Sequence, residues 1–167
     1  MAIKSGRGIA AIEYPTGMNQ NGDPSQAWIK MKPDGRIDVF AGTSDIGNGS
    51  KTIQSQIVAE TLVRGIVRPT FVDPDTVASR ATFVAGKAVE KAAERVRERI
   101  LEIAGKELEI DPSDLEIVDG EVLAKGAPQK KIAVPDVAGA ATWTYGARIT
   151  GDGAQRRPFA AIVDPAA

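Results

Sequence analysis

The chain has 167 residues, which suffices for one domain with a hydrophobic core, so residues 1–167 are predicted to form a single domain. Its 21 basic and 22 acidic side chains give a formal net charge of −1, which excludes a general attraction to nucleic acid or to an anionic membrane surface. Cysteine and histidine are both absent, so thiolate metal sites, iron–sulfur ligation and Ser-His or Cys-His catalysis are excluded. No apolar run reaches the length of a signal peptide core or a membrane span, and a cytoplasmic location is expected.

The first part of the chain predicts strands, a glycine-rich loop and a helix. An apolar run over residues 8–14 predicts a short strand. The alternating segments 27–32 and 36–41 flank an Asp-Gly pair, which indicates a β-hairpin. From Ser50 onward, apolar residues recur at helical spacing, so a helix is expected to follow the loop.

The second part predicts a long helix and a second hairpin. Apolar residues from Val84 to Leu108 recur at helical spacing, with charges on the opposite face. Segments 114–118 and 121–124 flank another Asp-Gly pair and are predicted to form a hairpin. The pattern then weakens: residues 132–140 indicate a short helix, residues 143–153 a glycine-rich segment, and residues 159–163 a final strand.

Two segments carry the strongest functional signal. The first is GTSDIGNGSKT, residues 42–52, and the second is VASRATFVAGKAV, residues 77–89. Each places small residues where a helix begins, and free backbone N–H groups together with the helix dipole favour a bound anion at such a position. Two helix starts of this kind in one small domain could converge on one ligand, and a phosphorylated cofactor is the natural candidate.

Other interpretations of these segments remain open. A nucleotide-binding P-loop requires lysine directly after the last glycine, and here Ser50 intervenes. The first segment could be an ordinary helix start in which Gly47 and Gly49 relieve backbone strain and Ser50 caps the helix. The second could be an ordinary helix start capped by Asp75 or Ser79. An unrelated anion-binding domain would bind a nucleotide without any partner.

Longer stretches resemble a known family. GTSDIGNGSKTIQSQIVAETL and TVASRATFVAGKAVEKAA resemble, in the same order, the two cofactor-contacting segments of molybdenum hydroxylases, the xanthine dehydrogenase and aldehyde oxidase family. The likeness extends from about Gly6 through the long helix, and more weakly to the C-terminal FAAIVDP. It implies an α+β fold in which antiparallel hairpins pack on two main helices and form one part of a split molybdopterin-binding domain.

The resemblance also implies which residues face the molybdopterin cofactor. They are Gly47, Asn48, Gly49, Ser50, Ala78, Ser79 and Thr82. Asn48 stands where the family usually has glutamine. The side chain of asparagine is one methylene shorter, so a bridging water could replace the direct contact to the cofactor. Between Leu62 and Val77 the chain is shorter than the family pattern.

Two motifs of the family are absent from this sequence. One is an earlier glycine-rich segment with a Gly-Gly-Phe-Gly pattern, and the other is a glutamate in a Gly-Glu context that acts as the base. Glu13, Glu60 and Glu90 lack that context and are interpreted as solvated surface groups. We therefore assign no catalytic and no metal-ligating residue to this chain.

The resemblance implies a subunit of a heteromeric molybdenum-cofactor enzyme that helps bind and orient the cofactor. A larger molybdenum subunit would carry the missing glycine segment and glutamate, while iron–sulfur clusters and FAD would lie on partner subunits. The cofactor, shared with that partner, is expected as molybdopterin cytosine dinucleotide. Hydroxylation is the usual reaction and hydration of a double bond is an alternative. A further alternative is a structural subunit without cofactor contact.

Trp143 and Tyr145 form an aromatic pair close together in the sequence. Aromatic residues are enriched among the side chains that dominate protein interfaces, so the pair could anchor a partner subunit. Packing against the chain's own core is the equal alternative.

Overall fold

A computed structural model describes residues 3–14, 24–62, 68–69, 76 and 79–156 of the chain. These residues form two β-sheets and three α-helices, which confirms the predicted α+β class with antiparallel hairpins. No helix among them is both long and apolar enough to cross a lipid bilayer. In chain order the elements are β1 (Pro24–Met31), β2 (Ile37–Ala41), α1 (Ser50–Leu62), β3 (Arg68–Pro69), α2 (Gly86–Leu108), β4 (Leu115–Val118), β5 (Glu121–Ala124), β6 (Ala127–Ala133), α3 (Val134–Trp143) and β7 (Thr150–Arg156).

The larger sheet has four strands in the order β3-β2-β1-β7. β1 and β2 form the predicted hairpin, with Ala27 opposite Ala41 and Met31 opposite Ile37. β7 pairs antiparallel with the other side of β1, and the two-residue β3 pairs parallel with β2. Alternate residues of β1 and β2 are buried, so this sheet presents one apolar face to the rest of the domain.

Helix α2 covers that apolar face. Its buried stripe includes Ala88, Ala92 and Val96, which are fully excluded from solvent. A Cβ atom added at Gly151 would lie 2.1 Å from the carbonyl oxygen of Ala92, and one added at Gly153 would lie 1.9 Å from that of Ala88. Only glycine therefore allows the helix backbone to approach β7 this closely.

Helix α1 packs beside the N-terminal part of α2. Its buried residues form a single line at intervals of four: Ser50, Gln54, Val58 and Leu62. At Gly86, the first residue of α2, a Cβ atom would lie 2.9 Å from the Cδ1 atom of Ile57. The two helices are thus in close contact where α2 begins.

The smaller sheet has the order β4-β5-β6 and carries the predicted Asp119-Gly120 turn between its first two strands. Leu115, Ile117 and Val122 turn inward and join the same hydrophobic core as α2. Helix α3 follows β6 directly. Pro135 lies near its start, where the missing N–H of proline removes no helical hydrogen bond.

Several boundaries predicted from the sequence were wrong. Residues 8–14 form no strand, and Ile9 and Ile12 are almost fully exposed because no neighbouring strand pairs with them within the described chain. The helix predicted over 132–140 begins at Val134, after an unpredicted strand. No strand was predicted in the glycine-rich segment 143–153, yet β7 begins within it at Thr150, and Gly151 and Gly153 allow α2 to pack closely against this strand. The strand predicted over 159–163 lies outside the described residues.

Candidate functional site

The loop between β2 and α1 owes its shape to two glycines. Gly47 has φ +94° and Gly49 has φ +76°, values in the left-handed region that favours glycine. A Cβ atom built on either residue would meet no other atom within 4 Å. The loop therefore needs glycine for its conformation, while the space around both residues is open to a ligand.

Asp45 lies in the loop, and its carboxylate accepts backbone hydrogen bonds at the N-terminus of α1. Its Oδ1 atom accepts the backbone N–H of Gly47 at 3.0 Å, and its Oδ2 atom accepts that of Lys51 at 3.0 Å. These hydrogen bonds lower the pKa of the Asp45 carboxyl below its usual value of 3.8, and the bond from Lys51 has the largest effect. The expectation of free N–H groups here was wrong for Gly47 and Lys51, because the chain supplies its own anion.

Asn48 and Ser50 are tied to each other. The Oδ1 atom of Asn48 accepts the hydroxyl of Ser50 at 3.0 Å and its backbone N–H at 3.4 Å. Ser50 is buried and is the first residue of α1. The side chains that cap this helix are therefore those of Asp45 and Asn48, and the expectation that Ser50 would cap it was wrong.

The second segment has an unusual backbone. Ser79 has φ +53°, a left-handed conformation that costs a non-glycine residue about 1–2 kcal/mol. Residues Ala81–Ala85 form a π-helical turn that leads into α2, closed by the N–H of Gly86 donating to the carbonyl of Ala81. Arg80, which precedes the turn, makes no side-chain capping hydrogen bond to it. Both features occur preferentially at functional sites, since strained conformations persist where they serve a purpose.

Two hydrogen bonds hold the two segments together, each taken at the full length over which it resembles the family, residues 42–62 and 76–93. The Nε2 atom of Gln54 donates to the carbonyl of Ala81 at 2.9 Å, and the Thr76 hydroxyl donates to the carbonyl of Ser44 at 2.6 Å. These bonds join residues 27 and 32 positions apart in the chain. The structure thus brings the two segments into direct contact.

The interior beneath the glycine loop is polar. Thr43 and Gln54 are fully buried, and Ser50 is nearly so. No described residue hydrogen-bonds to Oγ1 of Thr43 or to Oε1 of Gln54. Because buried polar atoms normally have a hydrogen-bond partner, these two are suited to an ordered water.

A groove of about 530 Å³ opens beside the second segment. Thr82 and Phe83 line one side of it, and Ile57 and Glu60 of α1 line the other. No described residue of the glycine loop lines this groove, so Thr82 does not share a cavity with Gly47 and Gly49 there. Ala78 lies outside the described residues.

Comparison with known proteins identifies the family. The sequence model of the molybdopterin cofactor-binding domain matches residues 2–161, nearly the whole chain. The chain belongs to this family. The resemblance to molybdenum hydroxylases inferred from the two segments is thereby confirmed.

Two similar proteins are named as enzyme subunits and are much longer than this chain. The gamma subunit of the 6-hydroxypseudooxynicotine dehydrogenase complex of Paenarthrobacter nicotinovorans is 36% identical over 124 residues, covering 67% of this chain and 15% of that protein. The putative xanthine dehydrogenase molybdenum-binding subunit of Escherichia coli K12 is 31% identical over 145 residues, covering 78% and 19%. This chain therefore spans less than a fifth of these two relatives.

Solved structures share the fold. The Cu,Mo-CO dehydrogenase in its carbon monoxide reduced state superimposes with a TM-score of 0.70 at 25% identity, covering 86% of this chain and 20% of that one. Quinoline 2-oxidoreductase from Pseudomonas putida 86 gives 0.65 at 25% identity, covering 80% and 19%. Both matches include most of this chain.

Three residues in or beside the two segments were not predicted from the sequence. Gln54 could have been found, because its spacing places it on the same helical line as Val58 and Leu62. Asp45 carried a weaker signal as an acidic residue ahead of a helix. Arg80 is 6% exposed, and nothing in its neighbourhood in the sequence indicated a buried cation.

Proposed function

We propose that this chain forms one wall of a molybdopterin site in a heteromeric molybdenum enzyme and helps to bind and orient the cofactor. The observation that carries the proposal is the pair of hydrogen bonds, Gln54 to Ala81 and Thr76 to Ser44, which join the two segments that resemble cofactor-contacting segments. Membership of a family named for this cofactor supports it. Two ordinary helix starts would not require hydrogen bonds between them.

The residues present fit a polar ligand of this kind. Gly47 and Gly49 leave the loop backbone open, and Ser79 presents an exposed hydroxyl in the adjoining segment. Because Asp45 already binds the N–H groups of Gly47 and Lys51, we propose that contact is made through the other polar groups of the loop, including the side-chain amide of Asn48. Thr82 would reach the ligand only from the groove side of the second segment.

When bound, the cofactor supplies the redox chemistry of a molybdenum centre, and this chain supplies positioning. Preorganised hydrogen-bonding groups orient a cofactor without rearranging during the reaction. Glu13 and Glu60 are exposed and Glu90 forms an ion pair with Lys87, so none of these three is proposed as the base. The base and the substrate pocket are therefore assigned to a companion polypeptide.

We propose that this companion is a larger molybdenum subunit and that iron–sulfur and flavin subunits complete the assembly. The names of the relatives describe subunits and dehydrogenases, which favours oxidative hydroxylation over hydration. The form of the cofactor is proposed to be molybdopterin cytosine dinucleotide.

The proposal is tested by replacing Gly49 with aspartate in the co-purified complex. A carboxylate at this open position places negative charge against the loop, so the molybdenum content of the complex should fall at least about tenfold. Gly126→Asp is the matched control, because Gly126 also has positive φ and open space but lies in the turn between β5 and β6. The control should retain molybdenum.

A purely structural role is the second candidate, and one observation favours it. Asp45 fills the site that an anionic ligand would otherwise occupy at the start of α1. If the chain only braces a larger subunit, Gly49→Asp and Gly126→Asp complexes will contain equal molybdenum. That outcome would rule out the cofactor wall.

A further inference from the structure

Gln54 connects the two segments through one shared acceptor. It lies one helical turn after Ser50, and its side chain is fully buried. Its Nε2 atom donates to the carbonyl oxygen of Ala81 at 2.9 Å, and the same oxygen accepts the backbone N–H of Gly86. Helix α1 is therefore bonded to the oxygen that closes the π-helical turn.

This arrangement gives a cause for the π-helical turn. In a regular α-helix the carbonyl of Ala81 would accept the N–H of the residue four positions later. In this chain it accepts the N–H of Gly86, five positions later, and the side chain of Gln54 as a second donor. A side chain that inserts into the helical hydrogen-bond ladder is a recognised cause of such distortions.

Helices α1 and α2 are in close contact beside the hydrogen bond between Gln54 and Ala81. Gly86 lies so close to α1 that a Cβ atom would be 2.9 Å from the Cδ1 atom of Ile57. The other polar atom of the amide, Oε1, is buried and has no hydrogen-bond partner among the described residues. The bond to Ala81 is thus the contact within the described chain that orients this amide.

We propose that Gln54 is a positioning residue for the cofactor wall. By holding the carbonyl of Ala81, it fixes where residues 79–82 lie relative to residues 47–50, and it does so without being one of the residues assigned to contact the cofactor. The expected effect on cofactor binding rests on the proposed function. The effect of Gln54 on the π-helical turn rests only on the contacts between α1 and α2.

The test replaces Gln54 with methionine, which has similar length and no hydrogen-bonding group. Removing a buried polar group together with its bond is nearly neutral for stability when the remaining partner stays satisfied, and Ala81 keeps its bond from Gly86. The unfolding midpoint of the complex should therefore change little. The Gly86 bond persists in the closed turn, but Gln54 no longer restrains local opening of that turn, so hydrogen exchange at the Gly86 amide should accelerate. Cofactor dissociation should accelerate about tenfold, and the circular dichroism of the bound cofactor should change.

Gln129→Met is the matched control, because Gln129 is exposed on β6 and lies outside both segments and the groove. It should match the wild type in all four measurements. Unchanged exchange at Gly86 and unchanged cofactor dissociation in the Gln54→Met complex would overturn the inference, even if Gly49→Asp loses molybdenum. If instead Gly49→Asp keeps its molybdenum, the proposed function fails, and the Gly86 exchange rate alone decides whether Gln54 sets the π-helical turn.

Discussion

At the scale of single residues, Asp45 changes what the glycine loop can do. A glycine loop before a helix normally offers N–H groups to an external anion. In this chain the carboxylate of Asp45 accepts two of those N–H groups, from Gly47 and Lys51. The glycines therefore permit a tight loop around an internal carboxylate, and the ligand is left with the outer side of the loop.

The pH dependence of stability should reveal this carboxylate. Because the folded state lowers the pKa of Asp45, its stabilising contribution is fully present above the ordinary value of 3.8 and is lost as pH falls through the lower folded value. Asp45→Asn should therefore unfold at a lower temperature than the wild type between about pH 5 and 8, with the difference shrinking only below about pH 4. Thermal unfolding across this range measures it. A difference that is the same at low pH would contradict the assignment.

At the scale of secondary structure elements, the contact between α2 and β7 depends on Gly151 and Gly153. Carbonyl oxygens of α2 occupy the positions where their side chains would begin. A close helix-on-sheet contact of this kind has no room to relax, because both partners are backbone.

Gly151→Ala or Gly153→Ala should therefore destabilise the chain by about 3 kcal/mol or more, since the added methyl group collides with backbone rather than with a flexible side chain. Denaturant unfolding gives the value. Gly139→Ala in α3 is the control: its Cβ atom would lie 3.7 Å from the Pro33 carbonyl, and alanine favours a helix by about 1 kcal/mol over glycine. Equal destabilisation at all three positions would contradict the packing argument.

The same elements show what the sequence could predict. Both Asp-Gly hairpins, α1 and the long helix were found because local periodicity and turn chemistry determine them. β7 was not found, because glycines within a strand have meaning only once α2 is packed against them. The family resemblance of the two segments was recognised from the sequence, but the bonds of Asp45 and Gln54 that shape them depend on side-chain directions that the sequence pattern does not contain.

At the scale of the whole molecule, a second exposed feature lies far from the two segments. The Nζ atom of Lys106 lies 5.3 Å from the centre of the Tyr145 ring. A side-chain hydrogen bond between Tyr145 and Glu107 raises the pKa of the Tyr145 phenol. Trp143 nearby is 81% exposed, which excludes packing in the chain's own core. Helix α2 spans about 34 Å, so this aromatic pair and the π-helical turn of the second segment lie toward opposite ends of it.

We expect Trp143 to contact a partner subunit. Trp143→Ser should leave the stability of the full chain within about 0.5 kcal/mol of the wild type and weaken association with the companion subunit by about tenfold or more. Binding measured at equilibrium tests this. Val118→Ser, at another exposed apolar residue, serves as the control and should bind normally. Unchanged affinity in the Trp143→Ser variant would remove this residue from the interface.

Hydrogen exchange of the native complex, with and without its cofactor, tests the cofactor wall most directly. If this chain contacts the cofactor, loss of the cofactor should accelerate exchange in peptides covering residues 44–50 and 79–86. The hairpin of β4 and β5 should exchange equally in both states, because it lies outside the two segments. Equal exchange at both segments with and without cofactor would contradict the account.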